Sequence, residues 1–127
     1  MAEIQRQRPE VDFPDGPPPQ DLQVVDEVVG DGTEAKAGMT VSAHYVGVAY
    51  STGEEFDASW NRGKPFDFRL GAGQVIAGWD QGIQGMKVGG RRRITIPARL
   101  GYGDRGAGAV IKPGETLIFV VDLVDAR

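Results

Sequence analysis

A chain of 127 residues, 40% of them apolar, fits one domain with a single modest core. It has no cysteine and one histidine, His44, which removes disulfides, thiolate nucleophiles and thiolate or multi-histidine metal sites, and leaves a Ser-His-Asp triad one residue to use. The net charge of -4 offers no general attraction to nucleic acid; no apolar run approaches the ~18 to 20 residues of a membrane helix, and MAEIQRQRPEVDF at the start has no secretory apolar stretch, so a cytoplasmic protein is expected.

Five of the eight prolines fall in the first 19 residues. PDGPPPQD, Pro14 to Asp21, can build neither a helix nor a central strand, so residues 1–20 are expected as a flexible or extended proline-rich tail and residues 21–127 as the domain. Pro14 and Pro17 have the spacing of a polyproline ligand only in the loosest sense, and a plain linker is the simpler reading. DLQVVDEVVGDG then places Leu22, Val24 and Val25 before Gly30 and Gly32, and MTVSAHYVGVAY alternates Val41, Ala43 and Tyr45 with Ser42 and His44. Both read as strands. A turn at Ser51-Thr52-Gly53 leads to EEFDASW and PFDFRLG, short extended runs carrying Phe56, Phe66 and Phe68. VIAGWDQGIQGM gathers Val75, Ile76, Trp79, Ile83 and Met86 on one side of a short helix, in spite of Gly78, Gly82 and Gly85.

Val88-Gly89-Gly90 ends that helix, and RRRITIPA reads as a strand. Alternation sends Arg91 and Arg93 to one face and Arg92 to the other, which dilutes the basic run into a solvated strand face. A long loop, Leu100 to Gly114, precedes the apolar final strand ETLIFVVDLVDA. One helix among four or five antiparallel strands is an α+β pattern rather than α/β.

GYGDRG, Gly101 to Gly106, spells the G-x-G-x-x-G of dinucleotide sites. That motif must open a helix, whereas Gly108, Pro113 and Gly114 keep the chain in a loop, so a nucleotide role is rejected. No metal-binding spacing of Asp, Glu and His is present. His44, beside Tyr45 on the opposite strand face, reads as structural. Asp57 follows Phe56 among aromatic residues, and the pattern alone leaves it either a surface carboxylate or a site group. Trp79 likewise is either core or part of a site.

In order along the chain stand VSAHYVG, GEEFDAS, GKPFDFRLG, QVIAGWDQGIQGM, GRRRITIP, GYGDRG and PGETLIFVVDL, over roughly residues 20 to 126. With these motifs at these separations the sequence resembles the FKBP family of peptidyl-prolyl isomerases, the macrolide-binding immunophilins. The resemblance implies an α+β fold, an antiparallel sheet of about five strands wrapped around one short helix, with a hydrophobic pocket between them. It implies a pocket based on Trp79, walled by Tyr45, Phe56, Phe66 and Phe119, rimmed by Val75 and Ile76, overhung by Val110 and Ile111, and given polarity by Asp57 and Tyr102. Asp57, Tyr102, Trp79 and Phe119 would be catalytic and the others substrate-binding, with the Ile76 backbone N–H donating to a bound carbonyl.

It further implies rotation about Xaa-Pro bonds in polypeptide substrates without metal or cofactor, and inhibition by macrolides such as rapamycin and tacrolimus; charge and hydropathy give the expectation of no nucleic-acid or membrane partner, and a single compact domain that of a monomer. The alternative is a non-catalytic proline- or macrolide-binding module. The chain departs from the family pattern at Ala107-Gly108 and Lys112, where histidine and proline are common, which implies a more mobile and less apolar loop. It departs again at the longer turn Tyr50 to Gly53 and at Trp60.

Overall fold

The computed structural model describes residues 8–11 and 16–127. Its strands are β1 (Gln23–Val28), β2 (Thr40–Ala49), β3 (Glu55–Ala58), β4 (Phe66–Arg69), β5 (Arg91–Ile96) and β6 (Leu117–Ala126), with a six-residue helix α1 (Ala77–Gly82) before β5. All pairings are antiparallel, in the order β1-β5-β6-β2-β3, and β4 also pairs with β2. The sixth strand arises because EEFDASW and PFDFRLG share one edge: β3 pairs with Val46–Val48 and β4 with Thr40–Ala43. Between them the 3-10 turn Ser59–Arg62 ends at Gly63, whose φ of 74° suits a residue without Cβ.

β6 lies between β5 and β2, and its first seven residues are buried on both faces. A strand covered twice has no reason to alternate, which is why LIFVV is continuous. The inner face packs Val41, Ala43, Tyr45, Ile94, Ile96, Leu117 and Phe119 against Trp79 and Ile83. On the outer face Val46, Val48, Ala58 and Ile118 form a second buried cluster, against which Val11, Tyr50 and Trp60 pack.

The glycines of α1 have two different reasons. A Cβ on Gly78 would lie 2.5 Å from the Ile96 side chain, and one on Gly82 would lie 2.9 Å from Ile94. Their lack of side chains lets the helix lie directly on β5. Gly85 instead has φ of 91°, and its N–H bonds the Ala35 carbonyl at 2.9 Å as the chain leaves the helix.

The three arginines of β5 do split between faces, but they do not form a solvated surface. Arg91 grips the buried Asp122 through two bonds of 2.8 and 2.9 Å. Arg92 is itself buried, bonds Asp26 on β1 and donates to the carbonyls of Gly82, the last residue of α1, and Gln84 just past it. Those carbonyls lack helical partners, and a cation there also opposes the negative end of the helix. Part of the segment ahead of the expected domain boundary lies on the outer face: Pro9 is buried and Val11 half-buried. Residues 1–7 and 12–15 of the expected tail fall outside the described residues. Among the described residues no helix is long and apolar enough to cross a membrane.

Candidate active site

A cleft of about 940 Å³ opens between the inner face of the sheet, α1 and the loop after β5. Every site residue singled out from the sequence borders it: Tyr45 from β2, Phe56 and Asp57 from β3, Phe66 from β4, Val75 and Ile76 before α1, Trp79 from α1, Tyr102, Val110 and Ile111 from the long loop, and Phe119 from β6. Residues from five elements and two loops meet because the strands send alternate side chains inward, and because a register shift in the β2–β3 pair lets the consecutive Phe56 and Asp57 both border the cleft.

Trp79 is buried, with Tyr45 and Phe119 set edge-on to its ring at centroid distances of 4.9 and 5.2 Å. Phe66 stands edge-on at 6.3 Å, and Phe68 supports the ring from 5.5 Å without facing the cleft. Phe56 meets Phe119 at 5.4 Å and 86°. Such edge-to-face contacts suit the ring quadrupoles and fix each wall in one orientation. Gly47, opposite Phe119 across the β2–β6 pair, leaves room for this: a Cβ there would lie 2.7 Å from both the Phe119 and Phe56 rings.

The polar side of the cleft is a closed triangle. The Tyr45 hydroxyl donates to Asp57, Arg62 Nη1 donates to Asp57 Oδ1 at 2.9 Å, and Arg62 Nη2 donates to Tyr45 Oη at 2.8 Å. Burial raises the Asp57 carboxyl, but the bonds from Tyr45 and Arg62 outweigh it and hold the group below the usual carboxylate range. Burial, and then the bond to Asp57, push the Tyr45 phenol up to about 12. Asp57 is thus an ionised, ion-paired carboxylate and a poor base, and Tyr45 is a neutral donor as well as a wall. Arg62 escaped the sequence reading; its only signal was its place five residues after Asp57, at the end of a tight turn.

Tyr102 is 40% exposed, and its hydroxyl bonds no described residue. The Ile76 N–H is likewise unengaged among the described residues, while the Ile76 carbonyl caps α1 by accepting from Trp79 N at 2.9 Å. The long loop folds back on itself, with Ala107 and Ile111 exchanging bonds of 2.8 and 3.3 Å and Gly114 N bonding Gly103 O at 2.9 Å. No helix follows GYGDRG; Gly106 has φ of 69°, and a Cβ on it would meet the Lys112 backbone at 2.8 Å. These glycines serve turns. Ala107, Gly108 and Ala109 border the cleft where larger side chains would narrow it.

His44 points to the outer face, its ring stacked 4.3 Å from Trp60 and its Nδ1 2.9 Å from Ser59 Oγ. Ser59 Oγ also accepts from the Tyr45 N–H at 2.7 Å. Among the described residues no three His, Cys, Asp or Glu side chains are grouped closely enough to hold a metal ion.

Known proteins are similar to this chain in sequence and fold. The chain is 72% identical over 119 residues to an FK506-binding protein of Streptomyces anulatus, covering 93% of this chain and 96% of that one. It is 50% identical over 120 residues to a probable FK506-binding protein of Corynebacterium glutamicum, covering 94% and 99%. The crystal structure of AtFKBP13 superposes with a TM-score of 0.77 at 45% identity, over 84% of this chain and 93% of that one. Residues 32–124, from the approach to β2 through most of β6, match the model of the FKBP-type peptidyl-prolyl cis-trans isomerases. An aromatic cleft over a helix tryptophan, on a sheet shared with such relatives, leaves one family: the chain belongs to the FKBP-type peptidyl-prolyl cis-trans isomerases.

Proposed function

We propose that the isomerase works by seating the proline ring of an Xaa-Pro segment on Trp79, between Tyr45, Phe56, Phe66 and Phe119, with Val75, Ile76, Val110 and Ile111 enclosing the flanking residues. The observation that carries this is the packing of the walls edge-on around a single buried indole, which leaves a cleft whose lining is mainly apolar.

Resonance stiffens the amide with a barrier of ~18 to 20 kcal/mol. At the top of that barrier the amide is twisted and less charge-separated than in the planar form. An apolar cleft therefore disfavours the planar ground state more than the transition state, and only such differential binding raises the rate. Each ~1.4 kcal/mol removed is worth tenfold, so about 5 to 7 kcal/mol supplies roughly 10⁴ to 10⁵. No bond in the substrate is broken, and no nucleophile is required. Ile76 N–H and the Tyr102 hydroxyl hold substrate carbonyls, while Asp57, fixed by Arg62 and Tyr45, biases the field across the amide and takes no proton.

The same cleft is proposed to take macrolides, by analogy with the relatives named FK506-binding proteins. The isomerase domain is taken as residues 21–127, which hold every cleft residue, and the protein as a cytoplasmic monomer; gel filtration and cell fractionation test those last two points. The decisive experiment is proline exchange in an Ala-Leu-Pro-Phe peptide followed by NMR, with and without rapamycin. Acceleration abolished by rapamycin is expected. Tight rapamycin binding without acceleration would reduce the site to a binding module, and unchanged exchange with both Asp57→Ala and Tyr102→Phe would remove the polar half of the mechanism.

A further inference from the structure

β3 is four residues long, pairs on one side only, and has a register shift between its partners Gly47 and Val48. Yet β3 and the Ser59–Arg62 turn carry Asp57 and Arg62, which must stay aligned on Tyr45. Inside the cleft Tyr45 holds them. Outside, a direct Asn61–Glu55 bond joins the start of β3 to the turn, and a residue from far upstream braces both of its ends. Arg8 pairs with the Glu55 carboxylate and donates through Nη1 to Asn61 Oδ1 at 2.6 Å, and Asn61 Nδ2 donates to Glu55 Oε2 at 3.2 Å. The three side chains form a second closed triangle, two residues before Asp57 at one corner and one residue before Arg62 at another.

Pro9 and Val11 hold Arg8 in place. Pro9 is buried, and Val11 packs on the outer cluster of Val46, Val48, Ala58 and Ile118 beside Trp60. Trp60 precedes Asn61, stacks on His44, and has a buried indole N–H that bonds no described group. The segment thus has an apolar anchor on the sheet and a forked cationic contact at the turn, a geometry that a guanidinium meets and an ammonium does not.

We infer that Arg8–Val11 is a positioning segment of the isomerase: from the outer face it clamps β3 to the Ser59–Arg62 turn and so keeps Arg62 and Asp57 aligned on Tyr45. This rests on the reading of that trio as the polar side of the site.

The test uses full-length variants, measuring kcat and KM separately on the Ala-Leu-Pro-Phe peptide. Exposed ion pairs contribute modestly, so Arg8→Ala should lower kcat by about threefold. Arg8→Lys, which keeps the charge but not the fork, should fall between the two and covers the case of an Arg8→Ala chain that does not fold. Adding Arg8→Ala to Arg62→Ala should have no further effect, because the clamp acts through Arg62. Val11→Asp should shift the Trp60 indole N–H resonance and lower kcat as Arg8→Ala does. If Arg62→Ala lowers kcat but Arg8→Ala and Val11→Asp do not, the clamp is refuted alone. If Arg62→Ala leaves kcat unchanged, the reading of the trio fails and the clamp falls with it. Equal losses from Arg8→Ala in the wild-type and Arg62→Ala backgrounds would reduce the segment to a general stabiliser and also overturn the inference.

Discussion

At Asp57 a charge and two hydrogen bonds decide what one carboxylate can do. Because its folded pKa is depressed, the stability it contributes is present above about pH 4, the ordinary carboxylate value, and is lost as pH falls through the lower folded value. Tyr45 has the opposite sign: its raised pKa gives a contribution complete below about pH 10 and lost as pH rises through about 12. Neither group titrates near neutrality, so kcat/KM should be flat between about pH 5 and 9. A bell-shaped pH–rate profile centred near neutrality would mean proton transfer and would overturn the non-covalent mechanism. His44 lies off the cleft; burial depresses its pKa, partly countered by Asp122, so its contribution is present above about pH 6.5 and lost as pH falls through the folded value. Acidification below about pH 6.5 should therefore lower the thermal midpoint, less so in His44→Gln, while turnover by the folded fraction holds.

α1 is an element whose propensity and packing disagree. Six residues with two glycines, one internal and one at the end, form a poor helix in isolation, since an interior glycine costs ~1 kcal/mol relative to alanine. Gly78→Ala and Gly82→Ala should nevertheless destabilise the protein. The new methyl would press on Ile96 or Ile94, an overpacking worth about 1 to 3 kcal/mol, and would lift Trp79 away from the walls. Urea denaturation checks the sign, and a parallel loss of kcat/KM checks the link to the cleft. A gain in stability would mean that α1 stands further from β5 than these contacts imply. Glycines at such spacing suggest close packing, and Gly78 and Gly82 fit that reason; Gly85 is required by its backbone conformation, which composition alone does not distinguish from proximity.

Across the whole molecule only the central strands β2 and β6 are packed on both faces, while β1 stays exposed, and Asp122 marks the cost of that central burial. It is 1% exposed and held by Arg91 across the β5–β6 pair. Breaking a buried pair from one side typically costs about 3 to 5 kcal/mol, so Asp122→Ala should lower the urea midpoint strongly, while Lys64→Ala, on an exposed side chain, should cost far less. Similar midpoints for the two would show that the pair contributes little.

Alternation along RRRITIPA correctly splits the arginines between faces, yet it cannot tell a solvated face from one covered by other parts of the chain. The order of strands, the single helix and the antiparallel class were legible because they depend on local period and turn chemistry, whereas the eleven residues of the cleft were legible only through the family resemblance that the spaced motifs carry. Arg62, the double burial of the central strands and the contacts of Arg8, Pro9 and Val11 were not. Each depends on residues brought together across the fold, where burial and charge pairing are set by neighbours remote in sequence. Chain-local chemistry determined which side chains are available to the site; only the tertiary structure decided which of them hold the others in place.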